Sequence, residues 1–142
     1  MTLRITDSKN VGTSRSLSFD LRDILVECTA YQDRRWLAWN VDCFGSEWFE
    51  VFQNAPNNQK ELSFSELNTY ANEVGQTIDG HFLALKDSIK VVPQLKSTDD
   101  CVKNADPVII AFDSTFFDVI TNDQNLISRL SEKFKKVEFV TR

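Results

Sequence analysis

Apolar positions recur with a period of two in several stretches of this chain and with a helical period in two others, a pattern that predicts an α+β fold. The first informative stretch runs from Ile24 to Phe44. A turn at Asp33-Arg34 sets Ala30 opposite Leu37, Cys28 opposite Trp39, Val26 opposite Val41 and Ile24 opposite Cys43. All eight side chains are apolar and share one face, and a slip of one residue would mix them with Glu27, Thr29, Asn40 and Asp42. The pattern therefore predicts a hairpin over 24–44 with one core face, and Tyr31 beside Trp36 on the other. A short helix over Ser18 to Asp23, with Asp20 and Asp23 near its start, is the competing reading of the entry to this segment.

Trp48 to Phe52 fits both periods, and the spacing of Trp48, Phe49 and Phe52 inclines it to a short helix. Asn54 to Gln59 is rich in loop formers. Ser63-Phe64-Ser65-Glu66 is a capping box, and Phe64, Leu67, Ala71, Val74 and Ile78 then fall on one stripe, which predicts a helix over about 63–75. His81 to Leu85 and Ile89 to Val92 follow as strand candidates. Pro93 to Asp106 is a polar surface connection anchored in its middle by Cys101 and Val102.

The last third has the clearest local signals. Val108 to Asp113 and Phe116 to Thr121 form a hairpin about Ser114-Thr115, within 107–121, with apolar side chains on both faces. Such a pair belongs in the interior of a sheet covered on both sides. Thr121-Asn122-Asp123-Gln124 is a second capping-box pattern, and Leu126, Ile127, Leu130 and Phe134 make the buried stripe of a helix over 122–134. Val137 to Val140 closes as a strand. The prediction is one α+β domain over 1–142, with a mixed or mostly antiparallel sheet and two main helices.

Composition narrows the classes of function. With 142 residues, 42% hydrophobic and 26% charged, the chain carries material for one core. Acids outnumber bases 21 to 16, giving a net charge of −5, which weighs against binding nucleic-acid phosphates. Arg34-Arg35, in a turn, and Lys133-Lys135-Lys136, at a helix end where cations suit the dipole, are the local basic clusters. Nothing in the N-terminal stretch has the apolar core of a secretion signal, and no apolar run reaches the length of a membrane span. A cytoplasmic, bacterial protein without membrane association is the expectation. Cys28, Cys43 and Cys101 are an odd number at wide spacing without a CxxC, and the expectation is buried free thiols and no disulfide.

Candidate chemistry is sparse. The single histidine, His81, removes any two-histidine metal site within one chain. A relay of Ser114, His81 and Asp113 can be written, but Ser114 sits in a turn and no nucleophile elbow surrounds it. Asp113 and Asp118 are the sharper pair. In the hairpin drawn above they share a face diagonally, about 7 Å apart, a distance at which two carboxylates can hold a hard cation or act as acid and base. The alternative puts Asp113 in the turn and Asp118 in water at the rim. No phosphate loop, dinucleotide fingerprint, calcium loop or HExxH is present, so neither cofactor nor metal is expected.

Aromatic side chains near arginines are the residue types of binding hot spots, and Tyr31, Arg34, Arg35, Trp36 and Trp48 form such a group. The alternative is that a helix covers them and they are core. In size, acidity and lack of catalytic motifs the chain is similar to small acidic bacterial accessory proteins, including immunity proteins that neutralise a toxin by covering it. The expected function is a non-enzymatic protein-binding module with a partner of basic character. A hydrolase or metal-dependent enzyme centred on Asp113 and Asp118, and a homodimer formed by an open sheet edge or the outer face of the first hairpin, are the alternatives.

Overall fold

A computed structural model of the chain describes residues 1–11 and 14–142. In chain order the strands are β1 (Thr2–Ile5), β2 (Ser8–Val11), β3 (Ser14–Leu17), β4 (Trp36–Phe44), β5 (Gln59–Leu62), β6 (Gln76–Leu85), β7 (Ala105–Phe112), β8 (Phe116–Ile120) and β9 (Val137–Val140). The helices are α1 (Leu21–Leu25), α2 (Trp48–Gln53), α3 (Phe64–Glu73), α4 (Thr98–Asn104) and α5 (Gln124–Lys133). Seven strands pair in the order β5-β4-β6-β7-β8-β1-β9, every neighbour antiparallel, and β2-β3 form a separate ribbon. The α+β class, the mostly antiparallel sheet and the two main helices are as the periodicity predicts.

The sheet has two apolar faces. The first is covered by α1, α2, α3 and α5, which contribute Leu21, Ile24, Phe52, Leu67, Tyr70, Leu126 and Leu130 to the larger core. The second is covered by the segment 86–104, which lays Leu95 and Cys101 over Leu37, Trp39, Leu83, Leu85, Val108 and Ile110. Local chemistry starts each helix. Ser63 Oγ accepts from the Glu66 amide at 3.1 Å while the Glu66 carboxylate accepts from the Ser63 amide, a reciprocal cap worth about 1 kcal/mol. Asp20 and Asp23 cap α1 in the same reciprocal manner, and Asp20 also accepts from the Thr77 amide at 3.0 Å, tying α1 to β6.

Several expectations are corrected. The hairpin over 24–44 does not form: 21–25 is helical, 29–31 is a 3₁₀ turn, and only Trp36–Phe44 is a strand. Ile24 and Cys28 lie four apart on a helical path, so their apolar period satisfied a strand template as well as a helix, and the Asp20 cap decides it. The partners of β4 are instead β5 and β6, both remote in sequence. Residues 89–92 do not form a strand but belong to the cover over the second face. The connection 93–106 contains α4, capped by Ser97, with Cys101 buried and Val102 exposed. The cap of α5 is Asp123, whose carboxylate accepts from the Asn125 and Leu126 amides; Thr121 supports it by accepting from the Asp123 amide. The sequence pattern also left β1 without an assignment, although it lies between β8 and β9.

Two backbone irregularities shape the second face. Asn40 has φ +52 and sits in a register shift between β4 and β6. It flips the alternation, so Trp36, Ala38, Val41 and Cys43 all join the larger core while Asp42 and Phe44 turn to the second face. Just beyond, Gly45 approaches Gly75 so closely that a Cβ on Gly45 would lie 2.8 Å from the Gly75 Cα, and the Gly75 amide donates to the Phe44 carbonyl. That contact fixes the end of β4.

Candidate protein-binding face

Opposed residues on neighbouring strands point to the same side of a sheet. The printed registers therefore draw one row across all seven strands of the second face: Gln59, Trp39, His81, Ile110, Asp118, Arg4, Glu138. On one side of this row, toward Leu37, Leu85 and Val108, the segment 86–104 covers the sheet. Toward the other end of the strands lie Asp42, Phe44, Asp79, Phe112 and Phe116. Phe44 is 56% exposed and Phe112 is 54% exposed. Among the described residues no element covers this half of the second face, and it is bare.

Its floor is ordered. The Phe112 and Phe116 rings stack at 5.0 Å, nearly parallel, and the Arg4 guanidinium lies over Phe116 at 3.9 Å from its centre. Asp118 is fully buried below them. Its carboxylate receives both nitrogens of the Arg4 fork, at 2.8 and 3.0 Å, and an Arg142 nitrogen at 2.5 Å. The hydrogen bonds to Asp118 raise Arg4 above the ordinary guanidinium value. Acidic groups stand around the aromatics. Asp42 and Asp79 are opposed across β4 and β6, and the Asp79 carboxylate accepts from the Asp113 amide at 2.7 Å.

His81 marks the boundary between the covered and bare halves. Its ring packs on Trp39 at 4.7 Å and its Nε2 meets Thr98 Oγ1 of the cover at 3.2 Å, while the buried Nδ1 has no hydrogen-bond partner among the described residues. Burial first, and the Arg142 charge second, lower it from the ordinary 6.5 to about 4.

Asp113 and Asp118 are not brought together. The hairpin register pairs Phe112 with Phe116 and Ile110 with Asp118, one residue off the expected one. Asp113 and Ser114 both take positive φ, as in a type I′ turn closed by the Thr115 amide on the Phe112 carbonyl at 2.9 Å. Asp113 is thus exposed in the turn, and Asp118 faces neither Asp113 nor water but two arginines. Among the described residues no three His, Cys, Asp or Glu side chains are placed to hold a metal ion.

The Tyr31, Arg34, Arg35, Trp36 and Trp48 group stitches the fold together. Trp36 is fully buried, its indole N–H donating to the Tyr31 carbonyl at 3.1 Å, so it offers nothing to a partner. The Tyr31 hydroxyl donates to Asp123 at 2.6 Å. Burial, then this bond, raises the phenol, and the same bond lowers the Asp123 carboxyl. Arg34 donates to the Leu85 carbonyl and pairs with Asp87. Arg35 forks onto Glu61 and donates to the Lys90 carbonyl, so both arginines hold the start of the cover. Trp48 is half-buried against Tyr70, with its indole N–H on Glu73 at 2.7 Å.

Two clefts of about 200 and 350 Å³ lie beneath the β2-β3 ribbon. Neither is lined by His81, Asp113 or Asp118. All three cysteines are buried and free, and burial pushes the Cys28 and Cys101 thiols up to about 12. Among the described residues no helix is long and apolar enough to cross a membrane. The residues of the bare face escaped sequence reasoning because both faces of the 107–121 hairpin looked covered. The aromatic pair Phe112 and Phe116, flanking the turn, was the available signal. Comparison with known proteins finds no family model that matches the chain, and no curated protein or solved structure that is similar to it.

Proposed function

We propose that this chain is a non-enzymatic protein-binding module of the accessory or immunity type, and that it engages a basic partner through the bare half of its second sheet face. The observation that carries the reading is the pair of exposed aromatic rings, Phe44 and Phe112, on a sheet whose other end is covered, with Asp42 and Asp79 between them. Exposed aromatics on a rigid sheet supply contact area at little entropic cost, and flanking carboxylates favour a cationic partner. The net charge of −5 adds long-range steering of the same sign.

The test is affinity capture from native lysate by the wild-type chain and by the double variant Phe44→Ser, Phe112→Ser. Support requires a basic protein held by the wild type, released by salt and lost by the variant while circular dichroism stays the same. A basic protein held equally by both, or none held, would reject this face.

A further inference from the structure

The segment 86–104, which covers half of the second face, is anchored at both ends and lightly held between them. Arg35 donates to the Lys90 carbonyl, and the Gln59 side chain bonds the Pro93 carbonyl and the Leu95 amide. At the far end Lys86 donates from its amide to the Asn104 carbonyl and from its ammonium to the Lys103 carbonyl. From Lys96 to Val102 the described residues make one hydrogen bond to the sheet, between Thr98 Oγ1 in the first turn of α4 and His81 Nε2. Cys101 is the one buried residue of α4. Elements with so few buried contacts open locally before the rest of a fold.

That single tie is titratable. β4 and β7 set the uncharged Trp39 and Ile110 beside His81. Asp79, on its own strand, favours a proton on the ring, and Arg142 opposes it. α4 adds Asp99 and Asp100 in its first turn, and Asp118 farther across the sheet is already taken by Arg4 and Arg142. A charged imidazole is a donor at both nitrogens, yet the closed geometry offers an oxygen only at Nε2, while Nδ1 is buried with no acceptor among the described residues. A proton on the ring and a closed cover therefore oppose each other. We propose that α4 is a flap governed by His81: on taking a proton from solvent the ring swings outward, releases Thr98 and lifts the helix about hinges at Leu95 and Asn104. Lifting α4 bares Cys101 and the cluster of the second face to which it belongs, including Leu83 and Val108, so the open apolar surface grows in acid. The closed ring holds a proton only near pH 4, an opened one near the ordinary 6.5. The closed form is thus fully favoured above pH 6.5, and the opening constant rises as the pH falls from there toward 4, by up to about 300-fold. This opening depends on contacts of the cover alone and stands whether or not the bare half binds a partner.

The cysteines report on the flap separately from the rest of the fold. Cys101 lies under α4, whereas Cys28 and Cys43 lie in the larger core. The test is labelling of the wild-type chain and of His81→Gln with a dithiodipyridine, which reacts with thiols in acid as well as at neutral pH, followed by mass spectrometry of each cysteine peptide. Between about pH 7.5 and about pH 4.5 the Cys101 labelling rate of the wild type, taken relative to His81→Gln at the same pH, should rise at least about tenfold, with Cys28 and Cys43 still protected. His81 is the single histidine, so its ring signals in proton NMR need no assignment, and in the wild type alone the rise in labelling should level off at the pH where that ring titrates. Cys101 that stays protected in acid would overturn the proposal. So would all three cysteines reacting together, which is global unfolding, an equal rise in a folded His81→Gln, or labelling that levels off away from the titration of the ring.

Discussion

Arg4 and Asp118 stand directly opposite each other on β1 and β8, and the arginine grips a fully buried carboxylate with two parallel hydrogen bonds of 2.8 and 3.0 Å. Residue 4 and residue 118 are joined by nothing in the local sequence. Their pairing fixes the register of a strand that the hydrophobic pattern left unassigned. It also removes from the solvent the acid that sequence reasoning had offered as a metal ligand.

Removing one member of such a pair leaves the other charge without its partner. Asp118→Ala leaves Arg4 and Arg142 facing a shared apolar floor, and the expected loss is about 3 kcal/mol in urea unfolding. Arg4→Lys keeps the charge but not the fork, and a smaller loss is expected. No loss in Arg4→Lys would mean that the bidentate geometry contributes nothing.

His81 predicts a pH dependence. Its native value of about 4 lies below the ordinary 6.5, so the unfolded chain takes up a proton that the native one refuses. Stability from this group is complete above pH 6.5 and is lost as the pH falls from there toward 4, by up to about 3 kcal/mol. Carboxylates titrate in the lower part of this window, so the reading is the difference between wild type and His81→Gln. Parallel stability curves for the two would refute the assignment.

Trp36 and Phe112 separate core from surface. Trp36→Ala opens the centre of the larger core and leaves the Tyr31 carbonyl without its donor, at about 3–5 kcal/mol. Phe112→Ser, on the bare face, should change stability by less than about 1 kcal/mol. Thermal melts of the two proteins check both values.

The cysteines should be silent in the native state. Thiol titration with Ellman's reagent is expected to find no reactive group in buffer and three in denaturant, since all three are buried and free. Rapid modification of any one in buffer would contradict its burial.

Asp123 joins two elements that are far apart in sequence. Its carboxylate caps α5 and receives the Tyr31 hydroxyl. Asp123→Ala should cost about 2 kcal/mol, a cap and a half-buried hydrogen bond together. Tyr31→Phe should account for only part of that loss. A Tyr31→Phe variant as damaged as Asp123→Ala would place the energy in the hydroxyl rather than in the cap.

The sequence by itself determined the elements whose signals are local. Ser63 and Glu66 begin α3, the Leu126–Leu130 stripe buries α5, and the 107–121 segment turns back on itself, because caps, helical periods and tight turns are decided within a few residues. The same locality explains the failures. Ile24 and Cys28 suit a strand face or a helix stripe equally, and the Asp20–Asp23 cap, with Asp20 also held by the Thr77 amide, chooses between them. The hairpin faces depended on a turn of two residues rather than three, and positive φ at Asp113 and Ser114 moved Asp118 from the presumed rim to the interior. Which half of the second face stays open was decided by tertiary structure alone. It follows from where Arg34 and Arg35 tether the 86–104 segment and from the bulge at Asn40 that turns Phe44 outward. Alternation along a strand tells which side chains share a face, but what covers that face depends on chain returning from elsewhere, and no period in the sequence encodes that return.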